Sequence, residues 1–160
     1  ELCEFAYIGQ TMDRKKAYNI IKNYVRIKTN IQEEIDTYVR NHFSHYVIGV
    51  HHRGTDKVLE FPIVEYEKTC EEVQQIINRF SIIKNKIKIY VATDDQNFLM
   101  YIQNLFPSMV IYNDFARSTD NSPLHYGNVQ HYSSNYQKGK EALIDCLLLS
   151  KCNILIRPSM

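Results

Sequence analysis

The apolar residues of this chain change their spacing along its length, and the changes predict a succession of helices and strands. Residues 14–27 and 30–43 place apolar side chains close to the 3.6-residue repeat of a helix. Asn30 is the predicted N-cap of the second helix, because Glu33 follows it three residues later. Residues 46–50 then form a short β-branched run of the kind that fills a parallel sheet with two covered faces.

The rest of the chain continues this alternation. The predicted elements are a helix over 65–83, a strand over 86–92, a helix from Asp95 to Phe106, a strand over 109–112, a helix over 138–151 and a strand over 153–156. Parallel strands are usually joined by right-handed crossovers through helices. We therefore predict an α/β fold with a Rossmann-like parallel sheet over residues 45–160, preceded by a helical lead-in over residues 1–44.

The composition limits the classes of partner. With 160 residues, 44% of them hydrophobic, the chain can bury one core. A net charge of +1 creates no general field for nucleic acid or an anionic membrane, so we expect neither as a partner. No apolar run reaches the roughly 18 residues that a membrane span needs, and the first residues do not resemble a signal peptide. The chain starts at Glu1 rather than Met, and we expect both ends to be cut.

The four cysteines show neither a C-x-x-C pair nor a zinc-type spacing with histidine. They are Cys3, Cys70, Cys146 and Cys152. We predict reduced thiols in the core, with a disulfide or a metal site as the alternative.

A polar run, residues 51–57, follows the first predicted strand directly. Ligands of open α/β sheets gather at such strand exits. Arg53 offers a planar set of donors suited to phosphate oxygens, and Lys57 adds a second cation. Gly54 lets the backbone approach an oxyanion closely. These residues predict a site for a diphosphate.

Two further residues of this run have candidate roles. Asp56 is placed to orient Arg53 or Lys57, and His51 is placed to face a base or a sugar. The alternative is an ordinary solvated turn with an Asp–Lys pair, which contributes little energy. Spacing alone leaves both interpretations open.

A second candidate is Asp145, which lies in residues 142–149, a segment that is apolar on nearly every side of a helix. The pattern predicts a core helix, where a lone carboxylate costs several kcal/mol unless it is paired. One candidate partner is an internal Lys, Arg or backbone donor. The other is a ligand with two parallel donors, and guanine offers its N1 and N2 hydrogens in that arrangement.

Asp94 and Asp95 follow the second predicted strand and precede a helix, which raises the question of a metal site. Metal chelation needs several converging oxygens. The preferred interpretation is therefore one helix cap and one surface carboxylate, with no metal. The long polar connection that comes later, residues 113–137, is rich in tyrosine and histidine. Its aromatic content favours an ordered loop beside a ligand.

Three segments in this order resemble the motifs of one enzyme superfamily, that of the α1,6-fucosyltransferases, nodulation fucosyltransferases and protein O-fucosyltransferases. The segments are residues 51–57, residues 91–95 and residues 142–152. The resemblance implies the carboxyl-terminal Rossmann-like half of a GT-B glycosyltransferase, which binds GDP-fucose without a metal or other cofactor. It also implies inverting transfer of fucose to a hydroxyl of a glycan or a protein.

The resemblance also implies roles for individual residues. Arg53 is the catalytic residue that grips the β-phosphate, His51 lies beside the nucleoside, and Asp145 pairs with guanine. Ser159 stands where relatives place a hydroxyl near the diphosphate. The full predicted donor-binding set is His51, Arg53, Gly54, Asp56, Lys57, Asp94, Asp95, Asp145 and Ser159. The compartment would be the cytoplasm in a bacterium and the Golgi or ER lumen in a eukaryote.

Two other functions remain as alternatives. Many α1,6-type members have a second arginine where this chain has Gly54, and only about 44 residues precede the first strand. Both features favour a non-catalytic GDP-sugar-binding module or scaffold. The third possibility is a Rossmann-like domain of unrelated enzymology, such as a sugar-phosphate or nucleotide hydrolase.

Overall fold

A parallel sheet forms the centre of this computed structural model, which describes residues 13–43, 45–54, 64–80, 86–120, 122, 124 and 134–157. Its strands are β1 (Tyr46–His52), β2 (Ile87–Thr93), β3 (Val110–Ile111) and β4 (Ile154–Ile156). They lie in the order β3-β2-β1-β4, and every neighbouring pair is parallel. The predicted α/β class with a Rossmann-like parallel sheet is confirmed.

The helices of the described residues alternate with these strands as the sequence predicts. They are α1 (Arg14–Tyr24), α2 (Thr29–His42), α3 (Tyr66–Arg79), α4 (Gln96–Leu105) and α5 (Asn135–Ser150). The largest difference in start is that of α5, which begins three residues before the predicted residue 138. Ser134 caps it by accepting a hydrogen bond from the backbone N–H of Gln137 at 3.2 Å.

The chain divides into two compact units between Glu34 and Ile35, a point inside α2. In the first unit, Asp13 caps α1 and accepts from the backbone N–H of Lys15 at 2.9 Å. The predicted N-cap of α2 at Asn30 is wrong. The backbone carbonyl of Lys28 already accepts from the N–H groups of Ile31 and Gln32, each at 3.0 Å, so the helix starts before Asn30.

In the second unit, α3 and α4 cover one face of the sheet. Side chains at alternate positions of β1 and β2 point to this face. They pack with the apolar stripes of the two helices in one core cluster, which includes Ile48, Val50, Val73, Ile77, Ile89, Val91, Phe98 and Ile102. Each of these side chains is 1% exposed or less. At about 25 cal/mol per Å² of apolar area, this burial is the main favourable contribution to the stability of the unit.

The end of α5 packs against the opposite face, at Gly49 in the middle of β1. A Cβ atom on Gly49 would lie 3.0 Å from the Sγ of Cys152 and 3.2 Å from a methyl carbon of Leu149. Only a residue without a side chain allows this close approach. Asn153 then fixes the exit from α5, because its Oδ1 accepts from the backbone N–H of Val47 at 2.8 Å.

The prediction that residues 142–149 form a core helix is wrong in one respect. The buried residues of α5 are Ile144 and Leu148, which are four residues apart and face the sheet. Leu143 is 36% exposed in the described structure, and Cys146 is also exposed. The segment is apolar all round, but one stripe suffices to pack a helix on a sheet.

The cysteines of the described residues are unpaired, and their positions differ. Cys70 is buried and Cys152 is half-buried, and burial raises the pKa of these thiols to about 11 and about 12. Cys146 is exposed, so the prediction of a core thiol is wrong there. Cys3 lies outside the described residues.

The last residue of β1, His52, is buried with an exposure of 1%. Its ring stacks on Phe98 with centroids 3.9 Å apart, and its edge meets Tyr66. Neither ring nitrogen has a hydrogen-bond partner in the described part of the chain. Burial therefore lowers the pKa of His52, and the carboxylates of Asp95 and Asp94 only partly oppose this shift.

Replacement of His52 by phenylalanine should make stability less dependent on pH. Below about pH 6.5 the unfolded chain takes up a proton at His52, whereas the folded chain does so only at a lower pH, so wild-type stability falls as the pH falls through this range. The slope attributable to this residue is at most about 1.4 kcal/mol per pH unit. Urea unfolding between about pH 5 and about pH 7.5 measures this slope. The control is His45→Gln, which replaces an exposed histidine. Equal slopes in wild type and His52→Phe would contradict the burial argument.

Candidate functional site

A cavity of about 250 Å³ opens at the carboxyl ends of the strands, on the α5 side of the sheet. Arg53, which follows β1, and Thr93 and Asp94, at the end of β2, contribute to its wall. Asp145 of α5 also lines it. The structure therefore brings together three predicted site residues, Arg53, Asp94 and Asp145, that are far apart in the sequence.

Asp94 holds the segment that carries Arg53. Its Oδ1 accepts a hydrogen bond from the backbone N–H of Gly54 at 2.9 Å. Its Oδ2 lies 4.0 Å from the Nε of Arg53, and the two side chains are 20% and 39% exposed. Both side chains are partly exposed and the separation is long for an ion pair, so this pair contributes little energy. Asp94 acts mainly by fixing the backbone next to the guanidinium.

Asp95 is buried, with an exposure of 1%. It caps α4 as predicted, because its Oδ1 accepts from the backbone N–H groups of Asn97 at 2.8 Å and Phe98 at 3.2 Å. Its Oδ2 accepts a short hydrogen bond from the hydroxyl of Tyr66. Both oxygens are used inside the protein. Asp95 therefore has a structural role in the described residues, and its predicted contact with a donor stays a prediction.

Gly54 allows a close approach to the carboxylate of Asp95, and its predicted approach to a donor oxyanion stays a prediction. A Cβ atom at this position would lie 2.5 Å from the Oδ2 of Asp95. Asp95 is held by its cap and by Tyr66, so a larger residue at position 54 would require this carboxylate to shift. In the structure the neighbouring anion is the protein's own carboxylate.

Asp145 has internal partners of a type that the sequence analysis did not name. The hydroxyl of Tyr90 donates to its Oδ1 at 2.6 Å, and the Nδ2 of Asn113 donates to the same oxygen at 3.3 Å. Burial raises the pKa of the Asp145 carboxyl, while these two hydrogen bonds and the charge of Arg117 partly lower it. A hydrogen bond to a charged group contributes about 1.5–3 kcal/mol, so two of them offset much of the cost of burial.

One face of α5 presents charged side chains to the cavity. Lys138, Glu141 and Asp145 recur at helical spacing and all line it. Glu141 accepts from the side-chain amide of Gln137 at 2.8 Å and from the backbone N–H of Ala116 at 3.4 Å. Sequence reasoning missed Lys138 and Glu141, although the predicted helix and the position of Asp145 place them on its face.

The loop after β3 closes another side of the cavity through Phe115 and Ala116. Arg117 holds this loop, because its guanidinium donates to the backbone carbonyls of Asn113 at 2.5 Å and Phe115 at 3.0 Å. The same group lies over the ring of Tyr112, 5.3 Å from its centroid. The prediction of an ordered loop beside the site agrees with the structure for residues 113–120.

His51 lines a different cavity. That cavity has a volume of about 450 Å³ and lies between α3 and β4, where Lys68, Glu72 and Arg157 also line it. In the described structure His51 does not join Arg53 and Asp145. The three predicted site residues Asp56, Lys57 and Ser159 lie outside the described residues.

No group of three or more His, Cys, Asp or Glu side chains in the described residues is arranged to hold a metal ion. None of the helices in the same residues has both the length and the apolar composition to cross a membrane.

Comparison with known proteins identifies the family to which this chain belongs. Residues 17–157 match the family model of the alpha-(1,6)-fucosyltransferase N- and catalytic domains. The chain belongs to this family, and the resemblance found in the sequence motifs is confirmed.

Two similar solved structures show the same fold. Both are crystal structures of the NodZ alpha-1,6-fucosyltransferase, one co-crystallized with GDP and one soaked with GDP-fucose. Each is 24% identical to this chain, with TM-scores of 0.61 and 0.60. The matches cover 89% of this chain and 41% of theirs. This chain thus spans less than half the length of those proteins, and the predicted likeness to half of a GT-B enzyme is confirmed.

The hydrogen bond that Asp94 accepts from the Gly54 N–H can be tested separately from the charge of its carboxylate. In Asp94→Asn the side-chain oxygen still accepts from the Gly54 N–H, whereas Asp94→Ala removes that acceptor. We expect Asp94→Ala to weaken pyrophosphate binding about tenfold by releasing the backbone beside Arg53, and Asp94→Asn to keep wild-type affinity or exceed it. Isothermal titration calorimetry measures both. Equal weakening in the two variants would show that the charge, and not the backbone anchor, is what matters.

Proposed function

We propose that this chain forms the GDP-fucose-binding part of a fucosyltransferase that transfers fucose to a hydroxyl of a glycan or a protein. The observation that carries the proposal is that Arg53 and Asp145 line one cavity. Membership of the α-(1,6)-fucosyltransferase family supports it. The GDP and GDP-fucose named for the two similar structures support the choice of nucleotide.

The guanine end of the nucleotide would lie at Asp145. Guanine presents two parallel N–H donors, and a carboxylate is the side chain that accepts both. Tyr90 and Asn113 both donate to Oδ1, and in the described residues no hydrogen bond reaches Oδ2. Oδ2 thus keeps its acceptor capacity, and Asp145 is one of the residues that line the cavity. Adenine presents an acceptor at its N1 position, so this arrangement would discriminate against it.

The diphosphate end would lie at Arg53. A guanidinium can form two parallel hydrogen bonds with phosphate oxygens, and it stays charged at any working pH. Lys57 is the second cation that we assign to the diphosphate, on the basis of the sequence motif. His51 lines the neighbouring cavity, so this proposal does not place it in contact with the nucleoside.

The proposed reaction is a single inverting displacement at the anomeric carbon. The bond from the acceptor oxygen to that carbon forms, the bond to the β-phosphate oxygen breaks, and the acceptor proton passes to a base. Negative charge grows on the departing GDP, and Arg53 would stabilise it more in the transition state than in the ground state. Arg53 would thereby do what a divalent cation does in other transferases, and we propose that no metal is needed.

Replacement of Arg53 by alanine should abolish most of the transfer. Loss of one such charge-stabilising group costs on the order of 10²–10³-fold in rate. A radiolabelled GDP-fucose transfer assay on the full-length protein measures it, with Arg79→Ala at the neighbouring cavity as the control. Circular dichroism confirms that the variants are folded. Equal rates in wild type and Arg53→Ala would refute the role, and absence of transfer in the wild type together with GDP binding would indicate a binding module.

Replacement of Asp145 by asparagine should remove the preference for guanine. Asparagine has one acceptor oxygen in place of two, and its amide hydrogens would face the N–H donors of the base. We expect GDP affinity to fall about 10- to 100-fold while the weak affinity for ADP stays unchanged. Calorimetry with GDP, ADP and UDP measures this. Glu141→Gln, one helical turn away on the same cavity wall, should keep the preference; its loss there as well would count against a specific guanine contact.

A further inference from the structure

A tyrosine occupies the centre of β2, where packing alone would suit an aliphatic residue or a phenylalanine. Tyr90 is completely buried, and its ring meets Tyr38 and Phe43 with centroids 5.8 Å away in each case. A buried hydroxyl without a partner costs free energy. Tyr90 avoids this cost by donating to Asp145 at 2.6 Å. Its hydroxyl therefore serves the carboxylate on α5.

Asn113, just after β3, completes a three-membered network. Its Nδ2 lies 2.8 Å from the Tyr90 hydroxyl oxygen and 3.3 Å from the Oδ1 of Asp145. Its backbone carbonyl is held in turn by the guanidinium of Arg117. The network thus joins the centre of β2, the segment that follows β3 and helix α5.

Both donors of this network reach the same oxygen of Asp145. Two hydrogen bonds to Oδ1 restrict rotation of the carboxylate about its last torsion. They leave Oδ2 as the oxygen to which none of the described residues donates a hydrogen bond. A carboxylate held in this way presents a fixed plane to a ligand, and a fixed plane is what a planar pair of N–H donors requires.

We propose that Tyr90 and Asn113 are positioning residues that set guanine selectivity by fixing the plane of the Asp145 carboxylate. The proposal rests on the proposed function, because it takes Asp145 to be the guanine acceptor. Neither residue contacts the nucleotide. Both act through Asp145, so their loss should affect recognition of the base more than recognition of the diphosphate.

The surroundings of Asp145 explain why such support is needed. Burial raises the pKa of its carboxyl, and Glu141 on the same helix raises it further. Arg117 on the loop opposes this, Tyr38 of α2 also faces the group, and Arg53 lies across the cavity. Burial beside Asp145 also raises the pKa of Tyr90 far above its ordinary value. The Tyr90 hydroxyl therefore remains a donor throughout the physiological range.

A single pair of variants tests the proposal in the full-length protein. Tyr90→Phe removes the hydroxyl that bonds Asp145. Tyr38→Phe removes a neighbouring buried hydroxyl that has no hydrogen-bond partner in the described structure, and it serves as the matched control. The probes are GDP and inosine diphosphate, which lacks the 2-amino group but carries the same diphosphate. Calorimetry gives the ratio of the two affinities for each variant.

We expect Tyr90→Phe to lower GDP affinity about tenfold and inosine diphosphate affinity by a smaller factor, so that the preference shrinks. Tyr38→Phe should keep the wild-type ratio. Asn113 forms the longer hydrogen bond to Asp145. Asn113→Ala should shift the ratio in the same direction as Tyr90→Phe. A uniform loss of affinity for both nucleotides in Tyr90→Phe would indicate a merely structural role and overturn the proposal.

A pH series supplies a second readout. Removal of a donor to ionised Asp145 raises its pKa, so GDP binding by Tyr90→Phe should begin to weaken at a higher pH than binding by Tyr38→Phe. The terminal phosphate of GDP titrates near pH ~6 in every variant, so the difference between variants is the measured quantity. Identical profiles would contradict the proposal.

Failure of the proposed function and failure of the positioning role give different experimental results. If the wild type binds GDP and ADP equally, the proposed function itself fails. If the wild type prefers guanine and Asp145→Asn loses the preference, while Tyr90→Phe retains it in full, only the positioning role of Tyr90 is overturned.

Discussion

The parallel pairing of β1 with β2 is the constraint on which the site depends. The register joins Tyr46 to Ile87 at one end and His52 to Thr93 at the other, so both strands finish at the same level. The residues that follow, Arg53 and Asp94, then meet without any long side-chain reach. A shift by one residue would turn every side chain of β1 to the other face and would separate these groups. The core on the α3 and α4 face stabilises this register. The register in turn fixes the relative positions of Arg53 and Asp94.

The second requirement is that α5 lies close enough to the sheet for its carboxylate to reach the cavity wall. Gly49 permits this, because Leu149 and Cys152 occupy the space that a side chain would fill. Tyr90, on the neighbouring strand, faces the same helix and bonds Asp145. The packing of the helix and the orientation of its functional group are therefore set by adjacent strands of one sheet. Burial makes the carboxylate costly, and the same burial makes its hydrogen bonds strong enough to orient it.

Local signals predicted the parts of this structure that depend on local physics. The strand and helix periods gave the order of elements, and the Asp95 cap follows from a short polar side chain before an apolar helix. The motif resemblance pointed to Arg53 and Asp145, and the fold explains their meeting. Hydrogen-bond partners on distant strands could not be predicted from the sequence. Nothing in the sequence around Tyr90 or Asn113 indicates a hydrogen bond to Asp145. The burial of α5 was overestimated for a related reason, since composition does not reveal which stripe of a helix meets the sheet.

The most direct test of the account is a crystal structure of the full-length protein with GDP. The account predicts that the N1 and N2 atoms of guanine lie within hydrogen-bond distance of the Asp145 carboxylate and that the diphosphate oxygens contact the Arg53 guanidinium. It would be contradicted by a nucleotide seated in the neighbouring cavity between α3 and β4, or by one whose base and phosphates leave both Asp145 and Arg53 untouched.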